Sequence, residues 1–105
     1  MTTRKSNADT DRFLSRLLGD QSLGKTVQAI RMADKIGLTT FAKKLGISKQ
    51  TLYDVESERS LVSPHRAARF AKKLGYSEKV FVRLALEDLL KKEGLRYRVV
   101  DLRAA

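Results

Sequence analysis

Residues 42–56 read AKKLGISKQTLYDVE, and the way this stretch breaks decides how the chain folds. A basic, apolar-patterned segment stops at Gly46 and restarts two residues later at Ser48. Glycine closes a helix because it tolerates the left-handed backbone of the final turn. Serine opens one because its hydroxyl accepts from an otherwise orphaned amide. Ile47 and Leu52 have the spacing of a hydrophobic staple across the new helix start. At about 100° per residue, Leu52 and Val55 share one side of that helix, while Gln50, Tyr53, Asp54 and Ser57 spread over the other. Lys49 lies in the exposed first turn.

The flanking segments supply helices to hold this pair. In LTTFAKKLG, Thr39 or Thr40 can start a helix that turns Phe41, Ala42 and Leu45 inward and ends at Gly46. Upstream, Val27 and Ile30 begin an apolar stripe that Ala33 and Ile36 extend, which predicts a helix from about Lys25 to Lys35 stopped at Gly37. Downstream of the loop ERSLV, Ser63 is an N-cap and Pro64 occupies the first helical position. Ala67, Phe70, Ala71 and Leu74 then follow the i, i+3, i+4, i+7 pattern up to Gly75. The longest predicted helix runs from about Ser77 to Glu93 with Gly94 as its stop. It is apolar around most of its circumference and therefore asks for cover on two sides. A small domain covers one side, which leaves Val82, Leu86 and Leu89 as candidates for a dimer interface, with a deeply central helix as the alternative. LRYRVVDL, residues 95–102, alternates and reads as a strand, with Leu95, Tyr97 and Val99 on one face. A lone strand needs a partner, so these residues join the dimer candidates; a frayed extended tail is the other reading. At the N-terminus a polar tail over 1–10 precedes a short amphipathic helix carrying Phe13, Leu14, Leu17 and Leu18. The expected organisation is thus tail and short helix over 1–23, a core over 24–76, and a long apolar helix with a strand over 77–105.

Charge narrows the function. The net charge is +10, and residues 24–76 alone carry 11 basic and 4 acidic side chains. A positive field concentrated on one small domain suits a polyanion, because neutralised phosphates release counterions. There is no Cys and only one His, which argues against disulfides, thiolate metal sites and a dedicated metal centre. No apolar run approaches the roughly 20 residues of a membrane span, so a cytoplasmic protein without cofactor is expected. The acids are scattered, and Asp54 and Glu56 do not converge on a helix, so no enzyme is expected.

Two short helices joined at Gly46-Ile47 have helix-turn-helix spacing. A tight turn of this kind sets the second helix across the first, free to enter a major groove with its N-terminal residues at the base edges. Lys49 and Gln50 occupy that position. Gln bonds adenine bidentately and Lys favours guanine O6 and N7.

LTTFAKKLGISKQTLYDVE followed by SPHRAARFAKKLGYS resembles the Cro/phage-repressor (XRE) helix-turn-helix family of bacterial DNA-binding regulators, over about residues 24–76. The resemblance implies an all-α, five-helix lambda-repressor-like domain, here with a short N-terminal helix and a C-terminal strand. It implies that Arg31 pairs with Glu56 inside the domain. It carries recognition roles over to Lys49, Gln50, Tyr53 and Asp54, and a phosphate contact to Thr51; Ser48 and Ser57 bound the same exposed surface. Arg59 and Ser60 fall in the loop that meets the DNA backbone, and His65 and Arg66 begin the next helix within reach of a phosphate. There are departures: the family often places at the start of the first motif helix a Gln that braces a recognition residue, and Leu38 stands there; the loop before Pro64 is one residue longer than in short phage repressors; and Asp54 repels phosphate unless it accepts from cytosine N4.

The leading expectation is a homodimeric, sequence-specific transcriptional regulator, acting as a repressor on double-stranded DNA in the bacterial nucleoid. The alternative is an antitoxin that binds operator DNA and a toxin protein, since GLTTFAKKLGISKQTLY also resembles the DNA-binding half of addiction-module antitoxins. An RNA-binding or membrane-surface module fits less well, because stacking aromatics at regular spacing are missing and the basic residues are not confined to one helix.

Overall fold

A computed structural model describes residues 21–105, which form five α-helices: α1 (Leu23–Ala33), α2 (Leu38–Leu45), α3 (Lys49–Glu56), α4 (Pro64–Leu74) and α5 (Glu78–Lys92). The polar tail and the short helix expected around Phe13 and Leu17 lie outside the described residues.

Serine starts four of the helices. Ser22, Ser48, Ser63 and Ser77 each accept a hydrogen bond from the backbone N–H three residues on. The exception is α2, where neither Thr39 nor Thr40 caps; Gly37 holds the cap position without a side chain to offer, and the helix begins at Leu38. Likewise α1 begins at Leu23, two residues before the expected Lys25, because Ser22 provides the cap.

All five helices end alike. The residue that turns the chain out of each helix has left-handed backbone: Lys35 (φ 57°), Gly46 (76°), Glu58 (64°), Gly75 (78°) and Gly94 (78°). Two back-reaching hydrogen bonds close each turn, such as Gly46 N to Lys43 O (3.1 Å) and Ile47 N to Ala42 O (3.0 Å) after α2. After α1 the same pair is Lys35 N to Met32 O and Ile36 N to Arg31 O. The stop of α1 is therefore Lys35, and Gly37 does not end that helix.

The core gathers one stripe from every helix. Phe41, Phe70 and Phe81 are each at most 1% exposed and sit with Val27, Leu45, Leu52, Val55 and Leu74. Burial of side chains this size stabilises by about 1.5–3 kcal/mol each. Ile36, Leu38 and Ile47 pack against the edge of this cluster, so the staple residues Ile47 and Leu52 both touch the core. Val80, Phe81, Leu84 and Ala85 bring α5 into the same core, and α4 against α5 is the most extensive helix pair.

Helix α1 approaches α3 closely because residue 24 is glycine: a Cβ there would collide with the carbonyl oxygen of Val55. From the other side Asp88 on α5 accepts the Leu23 N–H at 3.0 Å, tying the start of α1 across 65 residues of chain.

No strand forms over residues 95–102, and none exists among the described residues. The alternating pattern is there, but a strand exists only by pairing, and every neighbouring described segment is a helix or a short connection. The tail instead runs back along α5: Leu95 N donates to Leu90 O (2.8 Å) and Val99 N to the Glu87 carboxylate (2.8 Å).

Candidate nucleic-acid interface

Helix α3 is divided cleanly between a holding side and an outward side. Leu52 (0% exposed) and Val55 (2%) are sunk in the core, whereas Lys49, Gln50, Tyr53 and Ser57 are exposed and Thr51 and Asp54 are half-buried. The helix cannot rotate without pulling its apolar stripe into water.

The turn before it is fixed at several points. Gly46 carries the left-handed backbone, and Lys73, reaching from α4, donates from Nζ to the carbonyl of Leu45 at 3.2 Å. A cation at the C-terminal end of α2 meets carbonyls that no helical amide satisfies. Nothing in the linear sequence pairs position 73 with position 45, so Lys73 was legible only as one of the basic residues of its own helix.

The closing end of α3 is locked to α1. Arg31 Nε donates to Glu56 Oε2 at 2.7 Å and its terminal nitrogen to Oε1 at 2.9 Å, a bidentate pair, while the third contact is to the carbonyl of Ile36 at 2.9 Å. The Glu56 side chain is 4% exposed and that of Arg31 16%. Donating to the Glu56 carboxylate raises the Arg31 guanidinium above its ordinary range, although its partial burial opposes this. Arg31 is thus committed inside the domain, as the family resemblance implied.

The loop after α3 is built on one carbonyl. The backbone oxygen of Asp54 accepts from Arg59 N (2.8 Å) and Ser60 N (3.2 Å), and Ser57 Oγ donates to it at 3.4 Å. Arg59 and Ser60, both exposed, are therefore held at a fixed offset from the outward side of α3. The αL residue that permits this is Glu58, which carries no sequence signal for such a turn. His65 and Arg66 are exposed in the first turn of α4, whose start is set by Ser63 accepting from Arg66 N at 3.1 Å.

Within α3 the side chains also organise one another. Ser48 Oγ accepts from Thr51 N (3.0 Å) and donates to Thr51 Oγ1 (2.8 Å), so both hydroxyls are occupied locally. Gln50 Nε2 donates to Asp54 Oδ1 at 3.0 Å. Lys49 projects from the positive end of the helix dipole. The outcome is a rigid ridge, basic and amide-bearing at its N-terminal end, seated on apolar residues.

The expected dimer residues lie elsewhere. On α5 Val82 and Leu86 are half-buried and Leu89 is exposed; in the tail Leu95 and Tyr97 are exposed and Val99 is half-buried. No described helix is long and apolar enough to cross a membrane, and no three His, Asp or Glu side chains converge among the described residues.

Comparison with curated proteins and with solved structures returns no match. A family model described as helix-turn-helix matches residues 27–81, more than half of the chain. That span starts within α1, passes through the Gly46 turn, the α3 ridge and all of α4, and stops at Phe81 in the first turn of α5. The chain belongs to the Cro/C1-type helix-turn-helix family, that is, to the XRE-type DNA-binding regulators.

Proposed function

We propose that the protein is a sequence-specific transcriptional regulator that lays α3 in the major groove, binds as a homodimer and represses by occupying its operator. The observation that carries this is the outward side of α3, where Lys49 and Gln50 stand exposed on a helix locked from behind by Leu52, Val55 and the Arg31–Glu56 pair. Gln50 and Lys49 supply base or phosphate contacts, Tyr53 and Asp54 complete the reading surface, and Arg59, Ser60, His65 and Arg66 meet the sugar-phosphate backbone. The chain has no catalytic role in this reading.

Dimerisation rests on the outer face of α5. Val82 and Leu86 are half-buried and Leu89, Leu95 and Tyr97 are exposed, and apolar side chains left open on so small a chain suit a second copy. A dimer sets two recognition helices about 34 Å apart along the duplex.

The test is binding to selected operator DNA across a salt series, with the mass in solution measured in parallel. The Lys49→Ala/Gln50→Ala double variant is expected to lose at least about tenfold in affinity for the operator and most of its sequence preference. Wild-type affinity and preference in that variant overturn the proposal. A monomer mass at binding concentrations removes the dimer, and constitutive purification with a second small protein turns the assignment toward an antitoxin.

A further inference from the structure

The side chains of Gln50 and Asp54 stand one turn apart on the outward side of α3, joined by a hydrogen bond of 3.0 Å from Nε2 to Oδ1. An ionised carboxylate only accepts, so the half of the Gln50 amide that faces it is the NH2 group. That choice has a consequence for base reading. One N–H is taken by Asp54. When Asp54 takes the N–H that points away from the amide oxygen, the remaining N–H and the carbonyl oxygen lie side by side in one plane, a donor beside an acceptor.

We infer that Asp54 is a specificity-determining positioning residue: it orients the Gln50 amide so that α3 reads adenine and rejects guanine at one base pair. The inference rests on the reading of α3 as the DNA-recognition helix. In the major groove adenine presents N7 as acceptor and N6 as donor, which complements an amide held this way. Guanine presents two acceptors, N7 and O6, so the held amide sets its own oxygen against O6. An unheld glutamine rotates its amide to meet either base and discriminates less.

The arrangement answers a gap in the family pattern. The Gln that often braces a recognition residue from the start of the first motif helix is replaced by Leu38, which packs against the core and has no polar group to give. The brace here comes from within α3 itself. Asp54 is in turn well placed to hold still, because its backbone carbonyl anchors Arg59 and Ser60 and its helix is fixed through Val55 and Glu56. In water an exposed bond of this type is weak; under a DNA duplex that excludes water it strengthens. The carboxylate has a cost, since it faces a polyanion and weakens binding to every sequence alike. Asp54 thus trades affinity for selectivity, an instance of specificity gained by disfavouring the wrong partner.

The experiment selects bound sites from a random duplex pool with the wild type, Gln50→Ala, Asp54→Ala and Asp54→Asn, and then measures affinity for the best site with adenine or guanine at the position Gln50 reads. Gln50→Ala identifies that position by losing its preference there. Asp54→Ala is expected to reduce the adenine-over-guanine ratio by about tenfold at that position alone, while raising affinity for random DNA by about two- to fivefold. Asp54→Asn keeps an acceptor oxygen without the charge, so it is expected to keep the ratio and share the gain in random-DNA affinity. A merely structural role would lower binding to all sequences and leave the ratio alone. If Gln50→Ala selects the wild-type site unchanged, the reading of Gln50 as a base contact fails, and the inference with it. If Gln50→Ala loses the adenine but Asp54→Ala retains the full ratio, the inference alone is overturned. Loss of the ratio in Asp54→Asn as well overturns the hydrogen-bond account. All four proteins are compared by circular dichroism and thermal melting first, and because the hydrogen bond joining the two side chains is exposed, unchanged folds are expected.

Discussion

Arg31 is the side chain on which the motif's geometry turns, because its guanidinium joins three elements: its own helix, Glu56 at the end of α3, and the Ile36 carbonyl leading into α2. A nearly buried ion pair is costly to break from one side, since the survivor stays buried without its partner. Arg31→Ala is therefore expected to destabilise the fold by about 3–5 kcal/mol in urea unfolding. Replacing both residues with methionine is expected to recover much of that loss, because no uncompensated charge remains. Equal losses in the single and double variants would show that the Ile36 contact matters more than the pair. At this scale the chain was partly legible. Leu52, Val55 and Phe41 announced themselves by periodicity, and the 31–56 pairing came from family resemblance. Lys73 did not: a lysine reaching a carbonyl 28 residues away has no local signature. Gly24 was equally silent, because its role is the absence of a Cβ opposite Val55 O.

Helix ends show why some boundaries read correctly and others did not. The stops at Gly46, Gly75 and Gly94 were legible because glycine tolerates left-handed backbone at no steric cost. Lys35 and Glu58 adopt the same backbone against their own preference, so the sequence points to Gly37 as the stop of α1 instead. Left-handed backbone costs an L-residue about 1–2 kcal/mol, and part of this is regained by glycine after its larger unfolded-state entropy is counted. Lys35→Gly is expected to stabilise the protein by about 0.5–1 kcal/mol, read as a higher urea midpoint with unchanged slope. A lower midpoint would mean that the Lys35 side chain contributes something its backbone geometry does not reveal. The strand expected at 95–102 failed for a different reason. Alternation describes a side-chain pattern, whereas a strand is a relation between two segments, and the described chain offers residues 95–102 no second one.

Over the whole molecule, the family pattern stops at residue 81, yet the fold does not. Asp88 lies beyond it and holds the first amide of α1. Burial pushes the Asp88 carboxyl above its usual range, and the Leu23 N–H and nearby Lys91 only partly oppose this. The folded protein therefore holds that proton more tightly than the unfolded chain does. The stability this contributes is present below about pH 4 and disappears as pH climbs through the raised value. Asp88→Asn keeps an acceptor for Leu23 and removes the charge, so its stability relative to wild type is expected to improve as pH rises from about 3 to 7 in thermal melts. Asp88→Ala leaves the amide unpaired and is expected to cost about 1–2 kcal/mol at neutral pH. A constant offset between Asp88→Asn and wild type across that range would remove Asp88 as the source of the pH dependence.

The clasp between Leu23 and Asp88 also sets an order of events during synthesis. Helix α3 is complete once Glu56 has been added, but the side chain that accepts from the first amide of α1, the helix that holds α3 through Arg31, is residue 88 and is made later. Until then the apolar stripes of the first four helices await the α5 residues that cover them, a stage at which a nascent chain is exposed to association with others. A chain truncated within α4 would carry every residue proposed to read DNA while lacking the α5 residues that frame them, so it is expected not to bind operator DNA.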